Sequence, residues 1–228
     1  MPTPDPPEDH AWLTLLQLHD SAFPIGAFAH SNGLERYADL GMTPDGLRAW
    51  LVGQLRYGVG RLDLAALVLA YRLGDDEAEG ALRSLARELD AWKSVPTLRA
   101  TSLSLGRRTL TLARRVWPEA VRAAALTPDT CHHALVVGRL SRALGLGLRA
   151  SALAFTRGAV AAATSAATRC LPLGPERAQA LMRELNGEVS AAVERVLADP
   201  EASLWSATPA AELRAAEQPS LASRMFES

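Results

Sequence analysis

The sequence predicts an all-α, single-domain helical bundle of about nine helices with flexible termini. Three observations carry this. Alanine, leucine and arginine, all strong helix formers, dominate the composition. Runs of β-branched and aromatic residues with period-two alternation are absent. Apolar residues recur at helical spacing: Ala178, Leu181, Met182, Leu185, Val189, Ala192, Val193 and Val196 form one stripe.

Each element has its own warrant. Residues 1–9 are acidic and proline-rich and are expected to be disordered, with the first helix over 10–19. Helices follow at 33–40 and 44–59. The second of these opens at Thr43-Pro44, an N-cap followed by proline at the first helical position. The helix over 61–73 carries Asp63 in its first turn, where the helix dipole favours an acid. Residues 76–93 place Ala78, Leu82, Leu85, Leu89 and Trp92 on one stripe, with Glu79 and Arg83 as an exposed pair. A helix over 97–116 is bounded by breaks at Pro96 and Pro118. Thr127-Pro128 repeats the cap-and-proline signal and opens 128–144. The helix over 150–168 is nearly all small residues, among them Gly158, Ala161, Ala162 and Ala163. Small side chains let neighbouring helices approach closely, so this is the expected central helix. A last helix covers 175–197. Gly41, Gly74 and Gly145 sit where helices end. Trp12, Trp50, Trp92 and Trp117 are expected core anchors. The folded body is therefore residues 10–198. Residues 199–228 carry Pro200, Pro209 and Pro219 and little periodicity. They read as a flexible docking tail, with Leu204, Trp205, Met225 and Phe226 as anchors.

Composition excludes several function classes. The chain has 228 residues and a net charge of −1, from 24 basic and 25 acidic side chains. That balance argues against a nucleic-acid binder. Two cysteines, Cys131 and Cys170, cannot build a disulfide framework, so a cytoplasmic location is expected. The start of the chain lacks the basic-then-apolar order of a secretory leader. Ala150–Thr168 is broken by Arg157, and no membrane span is expected. Lys93 is the only lysine, and no Gly-x-x-x-x-Gly-Lys-Ser/Thr loop exists to hold phosphates. No Gly-x-Ser-x-Gly nucleophile elbow occurs either.

Three segments remain informative. Residues 20–33 form an apolar loop with Phe23, Ile25 and Phe28 among Pro24, Gly26 and Gly33. Loops are normally polar, so this one is either tucked into the core or held against a partner. Asn32 and Glu35 have capping-box spacing at the following helix. Cys131-His132-His133 offers metal-ligand side chains. On a helix, however, consecutive residues point about 100° apart and cannot share one ion. Capping, solvent-facing histidines and a small buried cysteine explain the triplet instead. Arg107, Arg108, Arg114, Arg115 and Arg122 form a basic stretch, read as a solvated face or as a dock for an acidic partner.

The order of these segments resembles a known family. Leu15-Leu16-Gln17-Leu18, then Ser21-x-Phe23-Pro24-Ile25-Gly26-x-Phe28-x-His30-Ser31-x-Gly33-Leu34-Glu35, is similar to the opening signature of the UreF urease accessory proteins. Ala143-Leu144-Gly145 before the alanine-rich helix, then Leu171-Pro172-Leu173-Gly174, resembles the family's later helices. Ser223-Arg224-Met225-Phe226-Glu227-Ser228 resembles its terminal S-R-L-F-x-S. The chain departs from the pattern with His30 for tyrosine and Ala27 for glycine. It also has Gln218-Pro219-Ser220-Leu221-Ala222 where the family has H-E-x-x-Y.

The resemblance implies an all-α, non-enzymatic chaperone or scaffold for nickel insertion into apo-urease. It implies binding of UreD (also called UreH), recruitment of the GTPase UreG, and a homodimer within the complex. Nickel would be handled by the assembly, with no firmly bound cofactor or metal site in this chain. The implied partner-binding residues are Phe23, Pro24, Gly26, Phe28, His30, Ser31, Gly33, Glu35, Ser223, Arg224, Met225 and Phe226. A different reading is a helical nucleic-acid-binding regulator using the arginine stretch 107–122. A metal-dependent enzyme would have to draw on the scattered Asp75, Asp76 and Glu77.

Overall fold

Twelve α-helices and three short 3-10 turns make up the regular structure of residues 6–74 and 78–227, the residues described in the computed structural model. Among them there is no strand. The helices are α1 (Pro6–Leu18), α2 (Leu34–Asp39), α3 (Pro44–Tyr57), α4 (Leu62–Arg72), α5 (Ala78–Trp92) and α6 (Pro96–Val116). They continue with α7 (Pro118–Ala123), α8 (His133–Ala143), α9 (Leu148–Cys170), α10 (Pro175–Glu184), α11 (Asn186–Ala198) and α12 (Pro209–Glu217). The 3-10 turns lie at Ala27–Ala29, Pro128–Thr130 and Gln218–Ser220.

Local signals place many of the ends. Thr43 caps α3, its Oγ1 accepting from the Gly46 N–H at 3.1 Å. Gly41 and Gly145 take left-handed φ of +83° and +69° just after α2 and α8. Asp63 lies in the first turn of α4 and pairs with Lys93 Nζ at 2.9 Å, which ties α4 to the end of α5.

The differences have physical reasons. The helix expected over 128–144 is a 3-10 turn followed by α8, because Thr127 and Thr130 close a capping box of their own. Gly106 of α6 then meets the chain between the two: a Cβ there would stand 1.8 Å from the Cys131 carbonyl oxygen. The helix expected over 175–197 bends at Leu185 into α10 and α11. Pro118 does not merely end α6; it opens α7, which carries Arg122. The first helix begins at Pro6, inside the stretch expected to be disordered, while residues 1–5 lie outside the described residues. Asp75, Asp76 and Glu77 lie outside them too. The tail carries α12 and sets Leu204 and Phe226 in the core.

Two core clusters share α9 as a wall. One joins α4, α5, α6, α8 and α11; the other joins α2, α3, α9, α10 and Phe226. α4 is apolar nearly all round, with Leu62, Leu64, Ala65, Ala66, Leu67, Val68 and Ala70 buried, as befits an innermost helix. It packs against α8, where Gly138 admits the Leu67 carbonyl oxygen at 2.4 Å from a would-be Cβ. α9 does sit centrally, touching α2, α3, α4, α8, α10 and α11. Its small residues divide: Ala152, Ala166 and Ala167 are fully buried where neighbouring helices close in, while others face open space. Gly158 has nothing within 4 Å of a would-be Cβ, and residues 158–163 line a cleft of about 370 Å³. Two tryptophans also depart from expectation: Trp12 is 55% exposed and Trp92 41% exposed.

Candidate functional site

The apolar loop divides between core and surface. Phe23 is buried and stacks on Trp117, ring centroids 5.8 Å apart, in a small cluster with Leu15, Leu18 and Leu146. Pro24 is exposed, and Phe28 is 59% exposed. Gly26 adopts φ +77° and turns the chain into the 3-10 turn at Ala27–Ala29. From His30 onward the loop dives inward, and His30, Ser31, Gly33 and Glu35 are buried.

What they meet is the tail. The Gln218 side chain accepts hydrogen bonds through Oε1 from Ser31 Oγ at 2.9 Å and the Gly33 N–H at 3.0 Å. Its Nε2 donates to Glu35 Oε2 at 3.2 Å. Flipping the amide would set donor against donor, so the network fixes its orientation. Glu35 Oε1 accepts from the Met225 N–H at 2.6 Å. The Glu227 N–H donates to the Ala29 carbonyl at 2.8 Å. Phe226 is buried beneath the Arg169 guanidinium, 4.1 Å from its ring centre. Arg169 also donates to the Phe28 carbonyl. The loop before α2 and the tail are thus joined by a buried carboxylate, a buried amide and an aromatic plug.

α12 holds this junction in place. Gly33 has φ +87°, and a Cβ there would stand 2.7 Å from the Ala215 nitrogen. Only glycine permits α12 to pass so close. Thr97 Oγ1 of α6 donates to the Ala215 carbonyl at 3.1 Å. Arg36 of α2 pairs with Glu217 at 3.1 Å, and Arg214 shares that carboxylate at 2.8 Å. The capping box expected of Asn32 and Glu35 does not form. Gly33 is the N-cap, without a side-chain bond, and Glu35 is spent on the tail.

Of the twelve residues singled out from sequence, Gly33, His30, Ser31, Glu35, Met225 and Phe226 belong to the junction, and Phe28 flanks it through its carbonyl. Phe23 turns away into its own cluster. Ser223 and Arg224 are exposed beside the junction. Sequence reasoning missed Gln218, Arg169, Thr97 and Arg36. The signal for Gln218 was present as the first residue of the stretch that replaces the family's H-E-x-x-Y.

Charge at the junction is modest. His30 Nε2 lies 3.9 Å from Glu227, and Nδ1 lies 3.5 Å from Thr101 Oγ1. Burial holds its imidazole below the usual range, with Glu227 opposing and Arg108 reinforcing the shift. Burial raises the Cys170 thiol, and nearby Glu35 adds to the effect.

The Cys131-His132-His133 triplet does not converge, and its histidines do not face solvent. Cys131 Sγ points to the Thr127 carbonyl at 3.2 Å. His133 lies against Phe155 in the cleft, ring centroids 5.5 Å apart. His132 is fully buried, with Nδ1 3.0 Å from Ser102 Oγ and Nε2 3.3 Å from Asp90 Oδ1. A serine–histidine–aspartate line has the ingredients of a nucleophile relay. Ser102, however, sits inside α6, where backbone N–H groups are taken by the helix and none is left to hold an oxyanion. The line ties α5, α6 and the start of α8 together. Among the described residues no three His, Cys, Asp or Glu side chains are grouped to hold a metal ion. No helix of the described residues is long and apolar enough to cross a membrane.

The UreF family model matches residues 42–186. A urease accessory protein UreF of Rhodopseudomonas palustris (strain BisB5) is 33% identical over 213 residues, covering 91% of this chain and 87% of its own. The one of Bradyrhizobium diazoefficiens is 32% identical over 227 residues, covering 97% and 93%. The one of Nostoc sp. is 29% identical over 191 residues, covering 83% of each chain. The loop and the tail lie outside the stretch matched by the family model, whereas Thr97 and Arg169, which hold them, lie within it. With a family match over more than half its length and relatives of this identity along nearly all of it, the chain belongs to the UreF family, non-catalytic urease accessory proteins that act in urease maturation.

Proposed function

We propose that this chain is a scaffold of the urease maturation complex and that the loop–tail junction is one of its docking faces. The observation that carries the reading is the junction itself. Glu35 and Gln218, 183 residues apart, fasten the start of α2 to the tail. Phe28 (59% exposed) and Met225 (56% exposed) remain outside. Buried His30, Ser31, Gly33, Glu35 and Phe226 then act on a partner indirectly, by positioning those exposed groups. α1 adds exposed Trp12, Leu13 and Leu16, two of them one helical turn apart on the same face. Exposed aromatic and methionine side chains are the types that anchor protein interfaces.

In this reading the partner on the junction is UreD. Another face receives the GTPase UreG, and the scaffold acts as a homodimer in the cytoplasm. The assembly passes nickel to apo-urease, and nickel is its cargo. Size-exclusion chromatography with light scattering on the chain coexpressed with cognate UreD and UreG tests this. The wild type is expected to elute in a complex whose mass includes all three. Phe28→Ser with Met225→Ser should weaken UreD retention at least tenfold without loss of helix content. A wild-type chain that elutes alone beside folded, soluble partners would overturn the scaffold reading. A double variant that still retains UreD would move the docking face elsewhere.

A further inference from the structure

α6 carries Arg99, Arg107, Arg108, Arg114 and Arg115 and no acidic residue in its 21 positions. The last four are exposed. Several other surface arginines are neutralised internally, Arg56 with Glu188, Arg83 with Glu79, Arg149 with Glu194 and Arg177 with Glu184, while Arg87, Arg183 and Arg224 stand exposed without a carboxylate among the described residues, each on a different element. Along the strip, only Arg108 reaches a carboxylate, Glu227 at 3.8 Å. On the neighbouring α7, Arg122 pairs with Glu119. Arg107, Arg114 and Arg115 have no carboxylate within ion-pair distance among the described residues. The helix dipole accounts for Arg114 and Arg115 in the last turn. It does not account for Arg107, two turns earlier, or for a strip of exposed cations in a chain of net charge −1.

The strip also has an apolar neighbour. Arg114 and Arg122, with Pro118, Val121, Ala125 and Leu126, line a shallow open depression of mixed polar and apolar character. Val116, beside it, is exposed. Guanidinium groups beside aliphatic side chains match a protein surface that offers carboxylates next to an apolar group. A single-stranded nucleic acid would call for aromatic side chains on which bases stack, and α6 contains none. We infer that the outer face of α6, from Arg107 to Arg115 with the depression against α7, docks an acidic surface of a partner protein. The face abuts the loop–tail junction, since Arg108 reaches both Glu227 and, at 3.5 Å, the Ile25 carbonyl. It does not depend on which protein holds that junction.

The experiment compares the full chain with R107Q/R114Q/R115Q and with a control, R83Q/R149Q/R177Q, that makes the same charge change elsewhere. Circular dichroism establishes that all three are folded. Binding of poly-L-glutamate and of a DNA strand of equal charge is measured by fluorescence anisotropy from 50 to 300 mM salt. Each protein is also coexpressed with the cognate urease gene cluster, and the composition of its complexes is recorded. Wild type and control are expected to bind poly-L-glutamate, more weakly as salt rises. The strip variant should bind at least tenfold more weakly and lose one accessory protein from the complex. Equal polyglutamate binding by strip variant and wild type would overturn the inference. So would tighter binding of the DNA strand, which would make the strip a nucleic-acid surface. An unchanged complex in the strip variant would also refute it. If even the wild type forms no complex, the urease scaffold reading fails, while the polyglutamate comparison still decides the strip.

Discussion

At the scale of single residues, Glu35 and Gln218 bind the loop to the tail. Each is buried, and each satisfies donors or acceptors that would otherwise be stranded. Leaving a buried polar group unpaired costs about 1–3 kcal/mol. Glu35→Ala and Gln218→Ala should each lower the urea-unfolding free energy by about that amount. The double variant should lose less than the sum, because the second substitution removes groups already stranded by the first. Strict additivity would show that the two side chains do not act as a unit. Two histidines make a separate, pH-dependent contribution. Burial lowers both His19 and His133 to about 4 from an ordinary value of 6.5, with His133 also lowering His19. Between these values the unfolded chain takes up protons that the folded chain refuses. Their contribution is therefore fully present above pH 6.5 and is lost as pH falls towards 4. Unfolding free energy at pH 5 should be lower than at pH 7.5 by up to about 2 kcal/mol for each histidine. The gap should narrow in His133→Leu; an unchanged gap would mean that His133 protonates freely in the folded protein.

At the scale of elements, three glycines with different surroundings separate strain from space. Gly41 and Gly33 both have left-handed φ, +83° and +87°. Nothing stands near a Cβ at Gly41, whereas at Gly33 the α12 backbone blocks it. Gly41→Ala should cost about 1–2 kcal/mol from backbone strain alone. Gly33→Ala should cost clearly more, because α12 must also move. Gly158 lies mid-helix facing the cleft, with open space around it, so Gly158→Ala should stabilise the protein by about 0.5–1 kcal/mol. Thermal midpoints for the three variants check this ranking. A Gly33→Ala midpoint equal to that of Gly41→Ala would mean that α12 is not fixed against α2. The helices themselves follow from local chemistry. α5, with its wide apolar stripe, and α3, with its Thr43 cap, need no tertiary information to be found in the sequence. The break before α8 is only partly local: Thr127 and Thr130 close their own capping box, and the places of Cys131 and His132 are then set by Gly106, Ser102 and Asp90 on other elements.

At the scale of the whole molecule, the tail is part of the core that the rest of the chain builds. Phe226 packs with Leu34, Leu171 and Leu181 in the second core cluster. Removing residues 218–228 would empty that place and strand Glu35. The truncated chain should lose about 3–5 kcal/mol, the usual cost of deleting a buried aromatic side chain. Hydrogen exchange should quicken over residues 26–35 as the loop loses its partner. Unchanged protection of the loop would show that it is held by α12 alone. Because the loop and tail stabilise one another, a partner that grips either end also reads the state of the other.

By itself the sequence determined the all-α class, most helix positions, the small-residue helix at the centre and the family. Helix propensity, periodic burial and capping are local, so they are written within a few turns of each residue. The tertiary structure alone decided that Ser31 and Glu35 would meet Gln218 and Met225. It also decided that Phe23 would turn inward while Phe28 stayed out, and that Arg107, Arg114 and Arg115 of α6 would be left without a carboxylate among the described residues. A hydrophobic stripe states that a face is buried but not against what. Contacts across more than 180 residues arise only when helices such as α2, α6 and α12 are brought together.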